Sequence, residues 1–228
     1  MGRYFGWIVC MLLAIPASFA ASDVGKATEV SGKVMVAHEG GKSGALKQGD
    51  AVLLKDTIET KKDGAVKIDL KDKSSLVLRE DTKIIISEFV FNPEKNQRET
   101  GVNMAFGKLK AVIQKVYNKS NSKTEIKAPT AVVGVRGTEF AMDVSKKKSS
   151  VYCLKGNVET FNPLYPQNAV AVGAGKFTNV LANKIPEPVI PIPKEVLNEI
   201  ESRFGFPTSV DSLKERGMDK LRSRLPFP

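Results

Sequence analysis

The chain has 228 residues, with 35 Lys and Arg against 25 Asp and Glu, a formal net charge of +10, one histidine and two cysteines. A single histidine excludes a His-based metal cage and any triad that calls on a second one, and two cysteines exclude a disulfide framework. The basic excess favours anionic partners, with lysine, a well-hydrated point charge, dominating it.

The first residues, MGRYFGWIVCMLLAIPASFAAS, read as a secretory leader. Arg3 supplies the positive start, residues 5–15 are uncharged and mostly apolar, Pro16 breaks the run, and Ser18 and Ala20 place small residues at −3 and −1 of a cleavage site after Ala20. The run is shorter than the roughly 18 apolar residues a membrane-spanning helix needs. Residues 1–20 are therefore expected to be removed and the remainder to be periplasmic or secreted, with no stable membrane span. Export makes nucleic acid an unsuitable partner and leaves anionic lipid, acidic glycan or another envelope protein. Cys153 is then the one remaining cysteine, in a strand-like run where a buried thiol is the default.

Residues 28–181 read as short strands separated by turns. Val30, Val34 and Val36 alternate along one run, as do Val66, Ile68 and Leu70 along another. Gly40-Gly41, Gly49-Asp50 and Asp63-Gly64 mark turns. Residues 76–78 and 82–91 follow as strands, and residues 102–113 as one long strand bent at Gly107, although Phe106, Leu109, Val112 and Val116 also fit a helical period. Further strands are expected over 124–129, 131–135, 138–144, 150–154, 157–161, 169–172 and 176–180. Close spacing without intervening helices indicates an all-β sandwich, jelly roll or barrel.

Composition changes near residue 182. Pro186, Pro188, Pro191 and Pro193 favour an extended, semi-rigid linker over 182–193. Residues 194–228 form an amphipathic helical tail: Val196, Leu197, Ile200 and Phe204 share a stripe, and Leu213, Gly217, Leu221 and Leu225 recur at spacing four after a capped start at Thr208. The tail either folds back over a sheet edge or docks elsewhere.

No catalytic constellation stands out. A Cys153–His38 dyad is disfavoured because Cys153 lies in a strand pattern and His38 reads as a loop residue. Asp50, Asp56, Glu59, Asp63, Asp69 and Asp72 read as turn and exposed-strand carboxylates, and Gly173-Ala174-Gly175-Lys176 lacks the spacing of a phosphate loop. The reading is a non-enzyme with no cofactor and no metal.

Pro129-Thr130-Ala131-Val132-Val133-Gly134-Val135-Arg136-Gly137-Thr138-Glu139-Phe140 resembles the signature of the FecR domain family. Gly49-Asp50, Ile58-Glu59-Thr60, residues 64–68, 76–78 and 82–84, and the later strands through Leu181 fit the same family in order. The resemblance implies a jelly-roll-like β-sandwich over residues 21–181 and a role in envelope signal transduction or protein binding. The family's best-known members relay a signal from an outer-membrane transporter to a cytoplasmic sigma factor. Few residues precede the apolar run here, which leaves no room for an anti-sigma segment, and Asp72-Lys73-Ser74 replaces the family's Asp-Gly-Ser turn.

Within the signature, Gly134 and Gly137 bracket Arg136 and allow a bend or a close backbone approach. Arg136 and Glu139 are expected to pair across that bend, or Arg136 to present its fork to an anionic ligand. Gly134, Gly137, Thr138 and Phe140 make up the structural part of the motif. The functional expectation is an envelope protein-interaction or regulatory module, with a peptidoglycan- or carbohydrate-associated domain as the alternative.

Overall fold

The computed structural model describes residues 22–41, 43–95, 97–115 and 121–205. The leader and the second tail helix expected beyond Thr208 lie outside the described residues. The chain is β-rich from its first described residues. The strand run expected from Glu29 is split: β1 (Asp23–Ser31) and β2 (Val34–Ala37) are separated at Gly32, which takes φ +61°. They are followed by β3 (Ser43–Ala45), β4 (Ala51–Leu53), β5 (Thr57–Thr60), β6 (Ala65–Leu70) and β7 (Ser75–Leu78). Next come β8 (Thr82–Asn92), β9 (Gln97–Val112), β10 (Asn121–Lys127), β11 (Val132–Val135) and β12 (Glu139–Val144). The series ends with β13 (Lys148–Lys155), β14 (Asn157–Phe161), β15 (Val170–Gly173), β16 (Lys176–Leu181) and the two-residue β17 (Ile190–Pro191), before α1 (Lys194–Phe204).

These strands form two layers. Sheet A has the order β4–β1–β6–β7–β9–β12–β13–β16–β17. Sheet B has the order β3–β2–β5–β8–β9–β10–β11–β14–β15. Every pairing between described strands is antiparallel except β9–β10.

Strand β9 belongs to both layers. Residues 97–106 pair in sheet B and residues 107–112 in sheet A. The bend falls at Gly107, with φ +108°, where a Cβ would sit 2.4 Å from the Thr82 Cα. Only glycine fits that backbone and that approach. The helical alternative for this segment is not adopted, because each half of β9 is paired on both sides.

The inward faces of both sheets meet in one core. Val66, Ile68, Leu76 and Leu78 of sheet A and Ile58, Ile84 and Ile86 of sheet B are all fully buried in it. Each such side chain contributes about 1.5–3 kcal/mol relative to exposure. Cys153 lies in the same core.

The proline-rich segment stays on the sandwich. Glu187 N–H donates to the Asn179 carbonyl at 2.9 Å, the Thr178 hydroxyl to the Glu187 carbonyl at 2.6 Å, and Ile192 N–H to the Gly175 carbonyl at 2.9 Å. Phe177 pairs with Ile190 in register. The segment thus lines the free edge of β16, and prolines, which lack an N–H, blunt an edge against further pairing. Helix α1 then lies on the outer face of sheet A, where Ile200 and Phe204 are buried against Val77 and Ala141, with Val196, Tyr152 and Leu154 around them. The described part of the tail, residues 194–204, folds back, but onto the face of sheet A; the sheet edge is covered by the linker instead.

Candidate functional site: the sheet-crossing corner

The signature string is a crossing between layers. β11 pairs with β10 and β14 in sheet B, and β12 with β9 and β13 in sheet A, so residues 136–138 carry the chain from one sheet to the other. Gly137 makes the turn at φ +62°, packed so closely that a Cβ would lie 2.9 Å from the Lys115 Cα. Thr138 is buried; its hydroxyl donates to the Asn157 carbonyl at 2.9 Å, and its carbonyl accepts from Ile113 N–H at 2.9 Å. These two bonds fasten the crossing to the strands on either side. Phe140, fully buried, anchors the first inward position of β12.

Gly134 behaves differently from Gly137. It lies within β11, and the nearest atom a Cβ would meet is the Glu159 carbonyl oxygen at 3.9 Å. The close approach expected at both glycines is made at Gly137 alone.

Glu139 takes two lysines. Its Oε1 lies 2.8 Å from Lys110 Nζ and its Oε2 lies 2.9 Å from Lys155 Nζ. Burial penalises the charged form of this carboxyl, but the hydrogen bonds and charges of Lys110 and Lys155 outweigh it and hold the group below the usual carboxylate range. Arg136, expected to pair with Glu139, sits exposed on the crossing turn. Lys115 is exposed beside Gly137, and Lys155 is 81% exposed. The corner therefore sets Lys110 and Lys155 on one carboxylate, with Lys115 and Arg136 exposed on the same crossing. Sequence spacing pointed to Arg136 alone. Lys110 and Lys155 come together only through the pairing of β12 with its two neighbours.

The remaining chemical groups are dispersed. Cys153 lies 3.5 Å from the Gly156 carbonyl and 3.8 Å from that of Lys155, and burial pushes its thiol up. His38 is engaged elsewhere, its Nδ1 2.7 Å from Asp56 Oδ1, while Asp56 Oδ2 accepts from Leu53 N–H at 2.8 Å. Asp56 and Asp72 are buried, not displayed on turns as expected. The Asp72 carboxylate instead pairs with Arg98 in the interior. Among the described residues no three His, Cys, Asp or Glu side chains cluster as a metal cage would require.

Two open grooves mark the outer face of sheet B. One, of about 290 Å³, runs past Ile85, Ala105, Lys127 and Pro129. The other, of about 310 Å³, runs past Glu88, Glu99, Lys123 and Glu125. Neither is lined by an aromatic ring on which a sugar would stack.

Fold and corner together define an all-β protein of two sheets sharing a bent strand, with a basic crossing turn on its surface. Residues 56–159 match the family model described as FecR protein. That stretch runs from the start of β5 nearly to the end of β14, and the outer strands of both sheets lie beyond it. A crystal structure of a candidate anti-sigma factor from Parabacteroides distasonis ATCC 8503 shares the fold at a TM-score of 0.51 and 14% identity, over 62% of this chain and 62% of that one. A second crystal structure so described, from the same organism, aligns over the same shares at a TM-score of 0.48 and 12% identity. The alignment thus spans under two thirds of those chains. No curated protein matches the sequence.

Proposed function

We propose that this is an exported, non-enzymatic FecR-domain protein that serves as a protein-interaction and regulatory module of the cell envelope. The observation that carries the reading is the FecR match over residues 56–159, supported by the anti-sigma description of the chain that shares its fold. In this reading the leader is removed after Ala20, residues 21–181 are the β-domain, residues 182–193 strap its edge, and the tail from residue 194 begins with the docked helix.

The crossing corner is the contact surface. Gly137, Thr138 and Phe140 build it, and the exposed residues Arg136, Lys115 and Lys155 lie on it. A guanidinium forks onto a carboxylate with two parallel hydrogen bonds, so an acidic protein surface is the matching chemistry.

A photocrosslinking residue placed at position 136 in intact cells tests this. One envelope protein joined to that position, and not to a probe at exposed Lys26 on the far strand β1, is the expected result. Adducts to glycan alone, or to the same proteins from both positions, would overturn it. N-terminal sequencing of the mature protein should begin at Ala21.

A further inference from the structure

Sheet edges are templates for unwanted pairing, and proteins blunt them with proline, charge, shortness or cover. Three of the four outermost strands here are treated in this way. The β16–β17 edge is lined by the proline-rich segment. β4 is three residues long, and Leu54 N–H just after it donates to the Ser22 carbonyl. β3 is three residues long and follows the glycine pair Gly40-Gly41.

The fourth, β15, is four residues long and, among the described residues, has neither proline, charge nor cover on its free side. Val170-Ala171-Val172-Gly173 pairs with β14 on one side, and among the described residues no strand pairs with its other side. The run from Ala169 to Gly175 holds no charge, no proline and no side chain larger than valine, in a chain where 26% of residues are charged. Val172 is buried in the core while Ala171 is exposed, so the strand is held firmly and its outer surface is smooth. Leu164, in the loop leading into β15, adds apolar surface at 61% exposure.

We infer that β15 is a pairing edge for a second copy of this chain, joining two B sheets antiparallel about a two-fold axis. Two-fold antiparallel pairing with its axis at Ala171 puts Ala171 beside its own copy and Val170 beside Val172, so like charges on such an edge would meet one another while this uncharged run does not repel. The closest carboxylate in the row through Ala171 is Glu159, its partner on β14. Across the joined sheets the two Glu159 positions are three strand spacings apart, about 14 Å, beyond the Debye length of about 8 Å at physiological salt. Elsewhere the +10 chain opposes self-association, which makes the neutral edge the surface where two copies can meet. This inference does not depend on the envelope reading.

Sedimentation velocity of the whole protein over a concentration series tests it. A monomer–dimer equilibrium is expected, with Ala171→Lys weakening it by about tenfold or more through like-charge contact and Ala171→Thr preserving it. Amide exchange at residues 170–172 should slow as concentration rises, a readout that stands even if Ala171→Lys disturbs folding. A chain that stays monomeric up to about 100 µM, or a dimer that Ala171→Lys leaves intact, overturns the proposal.

Discussion

Asp72 and Arg98, both almost wholly buried, form an ion pair between the β6–β7 turn of sheet A and the first half of β9 in sheet B. Ser74 completes the arrangement: its N–H donates to Asp72 Oδ1 at 2.9 Å, its hydroxyl oxygen accepts from Arg98 Nη2, and Gln114 N–H donates to it at 3.2 Å. Removing one member strands the other charge in the interior, which costs about 3–5 kcal/mol. Arg98→Met should therefore lower the urea midpoint steeply. Adding Asp72→Asn to it should recover part of the loss, with a coupling energy above about 1 kcal/mol. Strictly additive losses in the two single variants would show that the pair does not act as a unit.

The same turn holds a replaceable strain. Lys73 adopts φ +66° with its side chain in solvent. A left-handed conformation costs an L-residue about 1–2 kcal/mol, and glycine nothing comparable, though glycine also adds freedom to the unfolded chain. Lys73→Gly should stabilise the protein by about 0.5–1 kcal/mol, read as a higher urea midpoint at unchanged slope. A lower midpoint would mean that the lysine side chain contributes more than its backbone costs.

How much of this was legible differs from one element to the next. β6 and the start of β8 follow alternation faithfully, and Gly107 announced its bend, because burial on one face imposes period two on the residues themselves. The opening of β9, residues 97–101, was missed, since Arg98 and Thr100 interrupt the apolar pattern. Both point inward at the same parity as Val102 and Met104, and Arg98 is tolerated there by a carboxylate 26 positions earlier that no local window reveals. The signature string was readable as a folding device. Its electrostatics were not, because Lys110 and Lys155 reach Glu139 through strand pairing and not through spacing.

The two signature glycines should part company under mutation. Gly137→Ala must hold a positive φ and push against the Lys115 backbone, so a loss of about 2 kcal/mol or more is expected. Gly134→Ala makes only an ordinary contact with the Glu159 carbonyl oxygen at 3.9 Å and should change stability by no more than about 0.5 kcal/mol. Thermal or urea unfolding of the two variants side by side gives the comparison. Equal losses would mean that the crossing begins earlier than residue 136.

Glu139 supplies an acid-sensitive contribution whose sign is set by its lysines. Its carboxyl titrates below the usual range in the folded state, despite burial, because Lys110 and Lys155 hold the charged form. A carboxyl depressed on folding contributes stability that is fully present above its unfolded value, about 4.3, and that is lost as pH falls through the lower folded value. Glu59, Glu80 and Glu125 are depressed as well, each with lysine partners. Stability should therefore hold steady from neutral pH to about 5 and decline below the unfolded carboxylate range. Lys155 is 81% exposed, so the share of Glu139 is small, under about 1 kcal/mol. Glu139→Gln removes that share at neutral pH and so flattens the acid limb of a stability–pH profile measured by urea unfolding. If the variant loses as much stability between pH 5 and 3 as the parent, the corner carboxylate is not part of the protein's acid response, and the decline belongs to other carboxylates.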